Sequence, residues 1–199
     1  MLSLPSTTEV EQVLPKSGFY KNMDIDARTK DLFVSTVRSI VIRNVIRPDT
    51  CNLAEGKRVH EVFVIEAEPK AAEVPEAVVR TIMRANQSRM VVVDAGTGAA
   101  WARGPSGLLC ADGVGSLSLR GADLDEAWDS ILAQLALGVE DGTDVDERIK
   151  RSEAVKTLER EIDALDNKCR RERQMSRRNE LFAQLRKKRR ELAALRKGA

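Results

Sequence analysis

Val155, Leu158, Ile162, Leu165 and Cys169 fall at intervals of 3, 4, 3 and 4 residues, the spacing that lays a continuous apolar seam along one side of a helix. No other feature so restricts what this chain can fold into. The segment after the acidic, glycine-containing stretch GVEDGTDVD (138–146) is expected to be a long helix, with Asp144 and Glu147 imitating a capping box at its start. Leu181, Leu185, Leu192 and Leu195 make a second seam, interrupted by Lys188. The first frame, carried forward, puts core positions at 176 and 183, whereas the second needs 178 and 185. A shift of two residues requires a break or a change of winding near 172–178. Two readings follow: an antiparallel helical hairpin turning near Met175–Ser176, which is the first choice, or one kinked helix that forms a homodimer through this arm.

The same segment carries most of the positive charge. Residues 166–199 hold 13 Lys and Arg against 4 Asp and Glu, whereas residues 1–165 hold 20 against 27, so a net charge of +2 hides two halves of opposite sign. Such asymmetry points to a polyanion, an acidic partner or the chain's own acidic half.

Upstream, the chain reads as helix, strand, helix, several strands and helix. Residues 1–22, with Pro5, Pro15 and Gly18, read as irregular. From Asp24 to Ile46 the positions Leu32, Phe33, Val37, Ile40, Val41 and Val45 recur at helical spacing and predict one amphipathic helix, ended by Pro48. VHEVFVIEA (59–67) and RMVVVDA (89–95) read as strands, separated by a helix from Pro75 to about Gln87. DAGTG (94–98) reads as a hairpin turn into AAWAR (99–103), followed by short strands at LLCAD (108–112) and SLSLR (116–120). DLDEAWDSILAQLAL (123–137) is a helix capped by Asp123. The expected architecture is an α+β domain over residues 1–140, with a mixed or antiparallel sheet and packed helices, carrying a basic helical coiled-coil arm over 145–199.

Cys51, Cys110 and Cys169 form no CxxC pair, and His60 is the single histidine, so no ordinary zinc set can be assembled. No signal-peptide pattern and no apolar run near 18 residues occurs, so a soluble cytoplasmic protein without membrane partners is expected.

The stretches LPSTTEVEQVLPKSGFY (4–20), RPDTCNL (47–53), GADLDEAWDSILAQL (121–135) and CRRERQMSRRNELFAQLRKKRREL (169–192) follow one another in an order that resembles a bacterial and archaeal family known only as a domain of unknown function. The most specific pieces are the LPK…FY beginning and the ERQ…RNEL stretch near the end. Members of that family are described as encoded beside helicases and DNA methyltransferases of restriction-like loci. The resemblance implies an accessory role in genome defence or DNA transactions, with a helicase- or methyltransferase-type partner. It carries no catalytic residues over to this chain.

The sharpest enzymatic pattern is nuclease-like. Pro48–Asp49 and Glu68–Pro69–Lys70 spell PD…ExK, in which Asp49, Glu66 or Glu68 would bind Mg²⁺ and Lys70 would position water. The pattern is short in a chain with 32% charged residues, and Pro69 is placed to end the strand that should hold it. Apart from Mg²⁺ under that alternative, no cofactor is called for. DAGTG lacks the third glycine and the following helix of a phosphate loop. The arm is the better candidate: Arg170, Arg171, Arg173, Arg177, Arg178, Arg186, Lys187, Lys188, Arg189 and Arg190 could neutralise several phosphates with little sequence preference. Phe182 alone interleaves among them, so a stacking platform for single strands is missing. The reading is a non-catalytic accessory subunit whose arm contacts nucleic acid or a protein partner, with the metal-dependent nuclease and a purely structural oligomerisation protein as alternatives.

Overall fold

The computed structural model describes residues 3–22 and 25–197. The chain divides into two compact units, residues 1–145 and 146–199. The first is a six-stranded mixed sheet with helices, and the second is helical, which makes the protein α+β.

The sheet runs β1 (Glu9–Val13), β2 (Val37–Ile46), β3 (Val62–Pro69), β4 (Arg89–Asp94), β5 (Ala100–Gly104), β6 (Gly107–Ala111), each strand beside its sequence neighbour. Every pairing is antiparallel except β3 with β4, which are joined by helix α4 (Glu76–Arg84). Ile65, Ala67, Met90, Val92 and Trp101 point to the face covered by α4, where they pack with Phe33 of α2 (Ala27–Thr36) and Phe19 of α1 (Lys16–Asn22). Side chains alternate along a strand, so Ala100 and Ala102 face the other way. That second face receives α5 (Leu124–Leu137), which packs on β5 and β6 and buries Trp128, Ile131 and Leu132.

Four local expectations need correction. The 24–46 segment is a short helix followed by a ten-residue strand, and the start expected at Asp24 lies outside the described residues. Six of the ten residues of β2 are β-branched, which suits a strand. A bulge between Val37 and Ser39 puts Val37 and Ile40 on one face three residues apart, so the strand imitates helical spacing. Residues 3–22 are not irregular throughout: they hold a 3-10 turn (Ser6–Thr8), the edge strand β1 and α1. SLSLR (116–120) is no strand. Ser118 N–H donates to Gln134 Oε1 at 2.9 Å and its carbonyl accepts from Gln134 Nε2 at 2.9 Å, so one side chain on α5 satisfies the backbone that a neighbouring strand would have bonded. Finally, Asp144 has φ 48°, in the left-handed region, whereas a capping-box residue is extended.

In the second unit, α6 (Val145–Arg171) and α7 (Met175–Lys197) are separated at Glu172–Gln174, beside the expected turn. Glu159 pairs with Arg196 (2.6 Å) far from the turn, while Glu161 pairs with Lys188 (2.9 Å) and Asp166 with Arg189 (3.8 Å) nearer to it, so the two helices form an antiparallel hairpin. Ile162, Cys169 and Leu185 are its most buried seam residues.

Candidate nucleic-acid interface

The two seams lock α6 and α7 with their Lys- and Arg-rich sides outward. Three of the ten candidate cations are held by acids within the hairpin. Arg170 pairs with Asp166 at 2.6 Å, Arg189 with the same carboxylate at 3.8 Å, and Lys188 with Glu161 at 2.9 Å and Glu191 at 3.4 Å. Lys188 thus interrupts the seam without leaving a bare charge: the hydrogen bond to Glu161 raises its pKa, and half-burial opposes the rise.

The other seven have no acidic partner among the described residues, and they fall into two groups. Arg171, Arg173, Arg177 and Arg178 surround the turn. Glu172, the one acid inside this cluster, accepts from the N–H of Gln174 at 2.8 Å and so shapes the turn. Arg186, Lys187 and Arg190 lie exposed on α7, with Arg186 and Arg190 four residues apart on one side of the helix, about 6 Å along the axis. A column on the same helix carries Met175, Arg178, Phe182 and Arg186 at spacings of 3, 4 and 4. Met175 is 61% exposed and Phe182 41%, and the Arg178 guanidinium lies 3.1 Å from the Met175 sulfur. The sequence shows Phe182 among the charges. That Met175 joins it becomes visible only once the turn is fixed at 172–174.

The nuclease-like residues do not come together. Asp49 lies on α3 (Pro48–Cys51), three residues beyond Ile46, which pairs with Val62 at the start of β3. Glu68 pairs with Ser39 at the far end of that strand. Six residues of strand separate the two ends, about 20 Å at ~3.3 Å per residue, too far for one metal ion. The carboxylates are also engaged by arginines. Glu66 accepts from Arg43 at 2.7 Å, and Glu68 from Arg38 at 2.7 Å and Ser39 at 2.9 Å. Lys70 Nζ donates to the Val34 carbonyl at 2.6 Å, closing the end of α2. Among the described residues no group of three or more His, Cys, Asp or Glu could hold a metal. These residues do not fit Mg²⁺, and no reaction step is derived through it.

DAGTG is a structural turn. Asp94, fully buried, accepts from Val74 N–H at 2.7 Å, Gly96 N–H at 2.7 Å and Thr97 N–H at 3.2 Å, and so ties the β4–β5 hairpin to the entry of α4. His60 is exposed and contacts Glu55 at 2.9 Å. No helix among the described residues is long and apolar enough to cross a membrane.

Residues 2–97 and 112–192 match the family described as Domain of unknown function (DUF4391). The chain belongs to this family. No curated protein and no solved structure matches it. The DUF4391 match takes in the first four strands of the sheet, α5 and nearly all of the hairpin.

Proposed function

We propose that this DUF4391 protein is a non-catalytic, nucleic-acid-contacting accessory subunit, and that its hairpin grips the phosphate backbone. The observation that carries the reading is the sorting of the cations. Those near the acids of α6 are paired within the hairpin, while the seven others, at the turn and along α7, have no acidic partner among the described residues. An arginine without an internal carboxylate gives up little when it takes a phosphate, and its planar fork matches two phosphate oxygens. With Phe182 the one aromatic side chain in the hairpin, duplex backbone suits the surface better than stacked single strands. A role beside a helicase or methyltransferase in a defence system belongs to this same reading.

The test is fluorescence anisotropy with labelled duplex and single-stranded oligonucleotides across a salt series. The full chain is compared with the triple variant Arg186→Gln, Lys187→Gln, Arg190→Gln. Salt-sensitive duplex binding that weakens in the variant is expected. No binding even at low salt defeats the proposal.

A second reading, docking of an acidic protein partner, is favoured by Met175 and Phe182, apolar groups exposed among arginines. It predicts that Phe182→Ala abolishes capture of that partner while leaving duplex affinity within about twofold, since one exposed aromatic is not needed for phosphate contacts.

A further inference from the structure

Three separate segments of the first unit bring an arginine each to one concavity. Arg47 follows β2, Arg58 lies in the loop before β3, and Arg89 opens β4. His60, Gln87 and Ser88 complete a polar pocket of about 550 Å³ that is open to solvent. Its volume is in the range of small-ligand sites, roughly 300–1,000 Å³.

The arginines differ in how they are held. Arg58 is pinned: its Nη2 lies 2.8 Å from Asp129, its Nε 3.5 Å from Asp125, and the bond to Asp129 raises its pKa. It forms a wall rather than a free ligand. Arg89 has no acidic partner among the described residues. Its guanidinium sits 5.9 Å from the centre of the Trp128 ring, a cation–π contact that orients the group without neutralising it. Arg47 comes no nearer to Asp49 than 3.4 Å, at Nε, and makes no hydrogen bond to it, so its guanidinium keeps its donors for another anion. The single carboxylate in the lining, Glu61, accepts from the Ser88 hydroxyl at 2.8 Å. The loop carrying Arg58 is itself fixed, because the N–H groups of Lys57, Arg58 and Val59 all donate to Asp125. The site is therefore preorganised on one side and has two available guanidinium groups on the other.

We infer that this pocket binds a phosphate group, gripped by Arg47 and Arg89. Guanidinium groups recognise phosphate and carboxylate alike, but two of them converging on one anion favour a doubly charged phosphate over a singly charged carboxylate. The phosphate is carried either by a nucleoside phosphate or by the end of a nucleic acid. Neither source draws on the hairpin, so this site stands or falls independently of the grip proposed above.

The experiment uses the full chain. Pyrophosphate and adenosine triphosphate are titrated calorimetrically, and duplex DNA with a 5′-phosphate is compared with the same duplex bearing a 5′-hydroxyl. Arg89→Gln and Arg47→Gln are the tests, with circular dichroism to confirm the fold; Arg47 is about half exposed, so its variant keeps the test alive if Arg89→Gln unfolds. Binding of pyrophosphate or adenosine triphosphate that falls about tenfold in either folded variant supports a small phosphorylated ligand, since each bidentate contact to an anion is worth about that factor. A preference for the 5′-phosphorylated duplex that disappears in the same variants supports a nucleic-acid end. No binding of any probe, or binding unchanged in both variants, overturns the assignment.

Discussion

Asp125 fastens the loop before β3 to the first turn of α5. Its carboxylate accepts from Val59 N–H at 2.8 Å, Arg58 N–H at 2.9 Å and Lys57 N–H at 3.1 Å. Burial pushes this carboxyl up, but the N–H bonds from Arg58 and Val59, the Arg58 guanidinium and the bond from Lys57 outweigh it and hold it below the ordinary carboxylate range. A carboxylate lowered on folding stabilises the native state above its unfolded pKa, and that contribution disappears as pH falls through its folded value. Asp125→Asn is therefore expected to cost about 1–2 kcal/mol at neutral pH and nothing extra in acid, below the folded value. Urea midpoints of wild type and variant should converge as pH drops, and parallel curves down to pH 3 would contradict the assignment. Gly56 makes the contact feasible. A Cβ there would lie 2.4 Å from Asp125 Oδ1 and 2.7 Å from the Val59 carbonyl oxygen. Gly56→Ala must displace the carboxylate or the loop, at an expected cost of about 1–3 kcal/mol in the same titration.

The hairpin sets the element-scale prediction. Leu185 is 2% exposed and lies between the Glu161–Lys188 pair and the turn. Leu185→Ala should cost about 2–3 kcal/mol, near the low end for buried leucine because a two-helix seam can partly close over the gap. Phe182→Ala, three residues away and 41% exposed, should stay within about 0.5 kcal/mol. Urea titration followed by helical ellipticity separates the two, and equal losses would mean the seam is misplaced. How legible such elements are depends on whether the sequence pattern has a single cause. The 3–4 spacing of Val155 to Cys169 and its two-residue slip reach a break near 172–178, with the hairpin ahead of a kinked, dimerising helix; the ion pairs between α6 and α7 decide between the two. The α5 helix, with Asp123 accepting from Glu126 N–H at 2.9 Å, is equally direct. In β2 the bulge turns a period of two into a local spacing of three, and the helical reading takes precedence until the pairing with β3 is seen. SLSLR alternates as a strand does, yet nothing in it announces that Gln134, more than a dozen residues on, will take its backbone bonds. The candidate site divides the same way. The basic run is visible in sequence, but which cations are paired is fixed across the hairpin. Arg47, Arg58 and Arg89, spread over more than forty residues, carry no local signal of their meeting.

At the scale of the whole molecule the net charge of +2 is a poor guide to behaviour. Residues 146–199 hold 18 Lys and Arg against 10 Asp and Glu, and residues 1–145 hold 15 against 21. At physiological ionic strength charges are screened over about 8 Å, so a phosphate beside α7 responds to the cations near it and hardly to acids elsewhere. The dependence of duplex affinity on salt should therefore count local, unpaired cations. Each phosphate neutralised contributes about 0.9 to the slope of log affinity against log salt. Replacing Arg186, Lys187 and Arg190 by Gln should lower that slope by about 2.7 if each meets one phosphate. Replacing Lys188, already held by Glu161 and Glu191, should change it by clearly less than 0.9, because a phosphate would have to displace two carboxylates to reach it. Arg47→Gln and Arg89→Gln should leave the slope for an unphosphorylated duplex where it was, since their pocket is read as taking a phosphate group rather than the backbone gripped by the hairpin. A slope that fell equally for all of these substitutions would show a diffuse positive field at work, and the sorting of paired from unpaired cations would then have no bearing on what the hairpin binds.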